Sequence, residues 1–296
     1  MVLVTSAFGR VGHAVTAELV KQGFTVRATD INPRTTELLD EGVSEVLVGD
    51  ARDRAFLMKC MEGIDQVAYV PPVMLYDEDE MAILAIDCAL EAGVKQFVQL
   101  SVCHPGLSGL LQHTKKLIAE EHLKLLGFQH DWNFTILQPL HYTNNVPVQQ
   151  IVTTGKYENF KPLDRKLGYV DVRDVAEATG IVLSEGEKHK FATYELCGPS
   201  YLSINEIAAL LVELSGKEIE TIWRDREHMF DGAFYNFCNS AHDSYARSAV
   251  LGIRDTYNDY GFAANKNVLE WLLGRPARTM EDYIRDELAK MNGSEL

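Results

Sequence analysis

The residues of this chain best placed to do chemistry stand at its start. Val2-Leu-Val-Thr5-Ser6-Ala7-Phe8-Gly9-Arg10-Val11-Gly12 reads as a strand, a turn and the opening of a helix. Gly9 and Gly12 stand three apart at that turn, a spacing that lets backbone N–H groups approach a pyrophosphate at the positive end of a helix. Ser6 holds the place of a further glycine, so the fingerprint is incomplete. Its position directly after the first strand of a βαβ unit still points to a dinucleotide. Asp30 follows Gly12 by 18 residues, near the interval of about 20 expected for an acid that accepts from the adenosine ribose hydroxyls. A carboxylate there repels a 2′-phosphate and favours NAD over NADP, unless Asp30 only initiates the Asn32-Pro33 turn. Arg10, Arg27 and Arg34 are the cations that could reach such a phosphate. Asp50, in Gly49-Asp50, could accept from the adenine amino group or simply close a surface turn.

A second group of polar residues follows the predicted strand Thr135–Gln138. Ligands of parallel sheets bind beyond the carboxyl ends of the strands. His141-Tyr142-Thr143-Asn144-Asn145 should therefore line a substrate pocket, with Tyr142 or His141 able to give a proton. Phe230, Phe234, Tyr235 and Phe237 either roof an aromatic substrate or pack a small core. His104, His113 and His122 are spaced nine apart, which turns a helix by about 180°. His113 and His122 then face opposite ways, and no metal site is expected. Cys103 lies at the predicted sheet mouth, where a buried bystander thiol is expected over a nucleophile.

Several buried strands must position these groups. Val2–Thr5, Thr25–Thr29, Glu45–Val48, Gln66–Val70, Gln96–Leu100 and Thr135–Gln138 are short runs of β-formers, with amphipathic helices between them. That alternation predicts a doubly wound α/β fold with a parallel sheet covered on both faces. Farther on, Asp171 caps a helix, Ser203-Ile204-Asn205-Glu206 forms a capping box, and Arg224 to Tyr260 shows no clean period. Asn265–Leu273 and Thr279–Met291 read as a last helical pair split by Gly274-Arg275-Pro276. Acidic residues outnumber basic ones 43 to 28, for a formal charge of −15 over 296 residues. This balance argues against nucleic acid and against an anionic membrane surface. No stretch approaches a membrane span, and no leader is read ahead of the first strand. The five scattered cysteines read as reduced thiols in a cytoplasmic protein.

In this order the motifs resemble the short-chain dehydrogenase/reductase superfamily, in its atypical NmrA-like branch, over nearly the whole chain. Thr5-Ser-Ala-Phe-Gly9-Arg-Val-Gly12 resembles the family's glycine turn, and Gly49-Asp50 its Gly-Asp. Phe97-Val-Gln-Leu-Ser101 is similar to its fifth strand, Lys116-Leu-Ile-Ala-Glu120-Glu121 to its lysine helix, and Gln138-Pro139 to the Arg-Pro after strand six. Val170-Asp-Val-Arg-Asp-Val-Ala176 and Gly198-Pro199 match landmarks of the substrate side. The resemblance implies a Rossmann domain over 1–155 and a smaller, partly interleaved substrate lobe over 156–296. It implies NAD(P) held by Thr5, Ser6, Phe8, Gly9, Arg10, Val11, Gly12, Asp30, Asp50, Lys116 and Pro139. It also implies redox chemistry by Ser, Tyr and Lys, with Ser101 orienting a carbonyl and Lys116 beside the nicotinamide ribose. The tyrosine position, four before Lys116, is Gln112, which cannot donate as an acid. His113 shares a helical face with Lys116 and could substitute, as could Tyr142; otherwise His113 is an ordinary polar residue near a helix start. The expected function is an NAD(P)-dependent oxidoreductase acting on a small carbonyl-bearing or quinoid molecule. The alternatives are a redox sensor that binds a protein partner, or a nucleotide-bound enzyme of non-redox isomerisation or cyclisation. Assembly into a homo-oligomer is left open.

Overall fold

Alternating side chains along the first strand already show a sheet covered on both faces. Val2 and Val4 are buried in one apolar cluster and Leu3 in another. The computed structural model describes residues 1–230, 244–291 and 293. In chain order its first half runs β1 (Val2–Val4), α1 (Arg10–Lys21), β2 (Val26–Asp30), β3 (Glu45–Val48), α2 (Arg54–Met61), β4 (Gln66–Tyr69), α3 (Glu78–Glu91), β5 (Gln96–Leu100), α4 (Leu111–His130) and β6 (Asn133–Pro139). There follow β7 (His141–Tyr142), α5 (Val148–Thr154), β8 (Lys156–Asn159), β9 (Leu167–Val170), α6 (Val172–Glu185) and β10 (Ala192–Leu196). The chain ends with β11 (Tyr201–Leu202), α7 (Ile204–Ser215), β12 (Glu220–Trp223), α8 (Ser244–Tyr260), α9 (Asn267–Leu273) and α10 (Met280–Met291).

Seven strands form one parallel sheet in the order β10-β6-β5-β4-β1-β2-β3. The order reverses between β1 and β4, and ligands of such sheets enter the crevice at this reversal. Helices α1 and α6 cover one face, and α2, α3 and α4 the other. At the reversal the Thr5 hydroxyl donates to the Val70 carbonyl (2.9 Å) and accepts from the Val70 amide (2.8 Å), joining β1 to β4. All six predicted strands are present. The seventh, β10, lies past the point where the alternation fades, because its Thr193 and Tyr194 face an exposed edge and break the apolar run. The stretch after Asn32-Pro33 winds as a short 3₁₀ segment, with the Asn32 side chain accepting from the Arg34 amide at 3.0 Å.

The smaller layers sit at the carboxyl end of the sheet. Strand β9 lies between β7 and β11, and β12 pairs with β8. Both predicted caps form: Asp171 accepts from the Arg173 amide, and Ser203 and Glu206 close a reciprocal box. The stretch read as aperiodic contains α8 instead. Its buried stripe of Ala246, Ala249, Val250 and Tyr257 has helical spacing, but two of its four members are alanines diluted by polar neighbours. Asp174, fully buried, accepts from the Arg278 amide at 2.6 Å and from the Arg275 side chain at 2.7 Å. This ties the segment leading into α10 to α6. No helix among the described residues is long and apolar enough to cross a membrane.

One backbone position in the glycine turn departs from what its residue prefers. Ser6 adopts φ +46°, the left-handed region that favours glycine. Ser6→Gly should raise stability by about 1 kcal/mol, read as a later midpoint in urea. An unchanged or earlier midpoint would show that the Ser6 hydroxyl contributes as much as the strain removes.

Candidate active site

The turn between β1 and α1 is built for close approach. A Cβ placed on Gly12 would lie 2.0 Å from the Ser6 carbonyl oxygen, and one on Gly9 3.2 Å from the same atom. Only glycine lets α1 begin this near the strand it leaves. Gly9 caps α1 with no side-chain hydrogen bond, and the first intrahelical bond runs from the His13 amide to the Gly9 carbonyl at 2.7 Å. The first-turn amides therefore stay outside the helix's own ladder and point at the crevice, a geometry that fits a dinucleotide pyrophosphate.

Asp30 closes this turn from the end of β2. Its carboxylate accepts from the Phe8 amide at 3.1 Å and the Asn32 amide at 3.0 Å. Of the three expected cations, Arg27 is spent at the other end of β2 on Glu45 and on the Cys60 and Glu62 carbonyls. Arg34 pairs with Glu37 while lying 5.2 Å over the Phe8 ring. Arg10 reaches from the turn to the Asn144 carbonyl at 3.4 Å, so the glycine turn adjoins the segment after β6. Val11 packs on the core, and the Asp50 carboxylate is held by the Arg52 amide at 2.9 Å.

The serine, lysine and histidine of the expected redox set are engaged below the mouth. Ser101 donates to buried Glu120 at 2.5 Å, and Gln138 donates to the same carboxylate at 2.8 and 3.0 Å. Lys116 forms a buried ion pair with Glu78 of α3. Beside that pair, the free Glu78 oxygen and Gln99 Oε1 have no hydrogen-bond partner, and Tyr69, Pro71 and Lys115 complete a small recess. Gln112 is buried with its carbonyl oxygen unpartnered. His113 is 3% exposed, its ring edge-on to Phe262 at 5.6 Å. Burial first, and the Lys116 charge second, pull its pKa down to about 3, so the ring is neutral at pH 7.

The segment after β6 has richer surroundings. His141 Nε2 lies 2.5 Å from Lys161 Nζ, a residue that sequence reasoning did not single out. The His141 ring also packs edge-on against Tyr169 (5.3 Å) and Tyr257 (6.2 Å). Tyr257 in turn stacks on Phe262 at 4.9 Å. Tyr142 lies near Cys103, and burial holds its phenol protonated far above its ordinary range. The aromatic cover thus comes from Tyr169, Tyr257 and Phe262. Phe230 instead packs on Phe160, Met229 and Val250, while Phe234, Tyr235 and Phe237 lie outside the described residues. Pro139 ends β6, and its carbonyl accepts from the Cys103 amide at 3.0 Å. Cys60, Cys88, Cys103 and Cys197 are free and buried; Cys238 lies outside the described residues. Among the described residues no set of His, Cys, Asp and Glu gathers into a metal site, and His122 is taken by Asp87 at 2.7 Å.

The profile of the NmrA-like family matches residues 1–250. The chain belongs to that family. It is 25% identical over 300 residues to the NAD(P)H azoreductase of Xenophilus azovorans, with 98% of each chain covered. The structure of the NADPH-dependent quinone oxidoreductase of Escherichia coli complexed with NADPH superposes with a TM-score of 0.78 at 23% identity, covering 97% of this chain and 100% of that one. The Citrobacter sp. triphenylmethane reductase complexed with NADP(H) gives 0.79 at 21% identity, covering 97% and 99%. At these identities the two structures share the fold.

The neutral His113 makes stability depend on acid. Its folded pKa of about 3 lies below the ordinary 6.5, so the unfolded chain takes up the proton first. The stabilisation is complete above about pH 6.5 and is lost as pH falls toward 3. At pH 5 the loss is on the order of 2 kcal/mol. His113→Gln should flatten the fall in melting temperature between pH 7 and pH 5; an unchanged slope would contradict the buried, neutral ring.

Proposed function

We propose that the protein is an NAD(P)-dependent oxidoreductase that reduces small quinoid or carbonyl-bearing molecules. The observation that carries this reading is the uncapped start of α1, held against β1 by the absence of a Cβ at Gly12, with the segment after β6 brought beside it by the Arg10–Asn144 contact. The names of its relatives agree, being an azoreductase and a quinone oxidoreductase. The first-turn amides take the pyrophosphate, with Thr5, Ser6, Phe8 and Gly9 shaping the turn, Val11 seating the helix and Arg10 flanking it. The bound nicotinamide supplies the hydride. Lys116, at the edge of the small recess between α3 and α4, donates to the nicotinamide ribose. Ser101 acts through Glu120, fixing the ends of β5 and β6 rather than touching substrate. Asp30 accepts from the adenosine ribose and makes NAD(H) the tighter cofactor, while Asp50 and Pro139 border the adenine and nicotinamide ends.

A second reading, a nucleotide sensor without catalysis, draws on Gln112, which stands where an acid is expected and cannot act as one. Turnover separates the two. Calorimetry should show NADH and NADPH binding, with NADH tighter by about 1–3 kcal/mol. Gly12→Val should abolish both, and Asp30→Ala should narrow the gap between them. NAD(P)H should then be consumed on addition of a benzoquinone or naphthoquinone. Binding of nucleotide without turnover across a quinone and carbonyl panel would leave the sensor, and no binding by folded protein would overturn both. Tighter NADPH in the parent would mean that Arg10 or Arg34 meets the 2′-phosphate.

A further inference from the structure

Two buried lysines of this protein are treated differently by the fold. Lys116 is neutralised by Glu78. Lys161, in the loop after β8 and 6% exposed, has no carboxylate among the described residues within reach. Among the described residues its ammonium meets the His141 ring nitrogen at 2.5 Å and the face of Tyr257 at 5.8 Å. An ammonium has three donors and no acceptor, so His141 Nε2 must accept and the His141 proton sits on Nδ1. Desolvating a cation without a counter-charge is unfavourable by several kcal/mol, and a position that keeps one is suited to an anion that comes and goes. The neighbouring Tyr169 hydroxyl is buried without a partner as well. The Lys161 amide donates to Asn159 Oδ1 at 3.0 Å.

We propose that Lys161, oriented by His141, binds and protonates the substrate oxygen that becomes negative as hydride arrives. This rests on the oxidoreductase reading and names its substrate class: quinones and conjugated ketones, whose two-electron reduction passes through a phenolate or enolate. Hydride from the reduced nicotinamide dinucleotide brings both electrons and one hydrogen. The conjugated C=O π electrons move onto oxygen, an Nζ–H bond of Lys161 breaks as the O–H bond forms, and the amine left behind regains a proton from solvent. Lys161 supplies the donor that Gln112 cannot. Burial lowers its pKa to about 7, so the proton is given up readily near neutrality, and His141 stays neutral with Arg10 and Lys161 as the cations acting on it. The phenols of Tyr142, Tyr169 and Tyr257 around it are protonated.

Two measurements on Lys161→Met and Lys161→Arg test this. In the first, para-nitrophenol is titrated into protein loaded with oxidised nucleotide and its visible phenolate band is followed against pH. The parent should hold about tenfold or more of the ligand as phenolate at a pH where free ligand is mostly neutral; Lys161→Met should lose this and Lys161→Arg keep it. In the second, quinone reduction by Lys161→Met should fall about 10²-fold with nucleotide affinity unchanged, and the parent's decline in rate above about pH 7 should disappear. Lys161→Met should melt no lower than the parent, because it removes an uncompensated buried charge. Parental turnover or parental phenolate binding in Lys161→Met overturns the proposal, and so does a much lower melting temperature, which would make Lys161 a structural cation on Tyr257. If the parent binds phenolate through Lys161 yet reduces no quinone, the oxygen site stands and the oxidoreductase reading falls.

Discussion

The carbonyl of Ser6 and the missing side chain of Gly12 set the distance from which everything else is measured. Because nothing separates them, α1 starts directly above the end of β1, and its first amides face the reversal point of the sheet. Ser6, whose carbonyl makes this contact, has a left-handed backbone, so the turn carries some strain. Asp30, at the end of β2, accepts from the Phe8 amide, and Thr5, just past β1, binds the Val70 backbone just past β4, so both anchor the turn. Arg10 then extends from this fixed helix end to Asn144, which brings the residues after β6 beside the turn. The glycine turn and the segment after β6 are thus one construction.

Buried charge is handled in two ways. Along the core it is neutralised: Asp174 by Arg275 and Arg278, Glu78 by Lys116, and Glu120 by Lys124 with hydrogen bonds from Ser101 and Gln138. These pairs hold the C-terminal helices to α6, and α4 to α3 and the sheet. Breaking one partner would strand the other, which is why such pairs act as fixed joints. After β8 the pattern stops, and Lys161 faces the Tyr257 ring and a neutral imidazole. That contrast is the ground for proposing that a transient negative charge is met at Lys161.

Much of this was legible before any coordinates. The six predicted strands fall within two residues of their observed ends because buried parallel strands are short apolar runs bounded by turn formers. The glycine turn was readable because its spacing reports a steric requirement. Strand β10 and helix α8 were not, since an edge strand and an alanine-rich stripe lack apolar contrast. Lys161 was invisible for a related reason. Its burial is made by Tyr257 of α8 and by His141 across 20 residues of sequence, and Phe160-Lys161-Pro162 by itself reads as an ordinary loop. Ser101 is legible as a serine at a strand end, but its partner Glu120 reads only as part of a helix. The one signal for it was its place a single turn after Lys116, on the face that buries both.

In the proposed function the Gly9–Gly12 turn, Lys116 and the His141–Lys161 pair serve one nicotinamide dinucleotide and the molecule it reduces. A crystal structure of the protein with oxidised nucleotide and a quinone analogue tests it most directly. The account predicts the pyrophosphate on the first-turn amides of α1, the ribose beside Lys116, and the analogue's oxygen on Lys161 with a ring carbon facing the nicotinamide. A nucleotide bound away from that turn, or a nicotinamide ring separated from Lys161 by packed side chains, would contradict it.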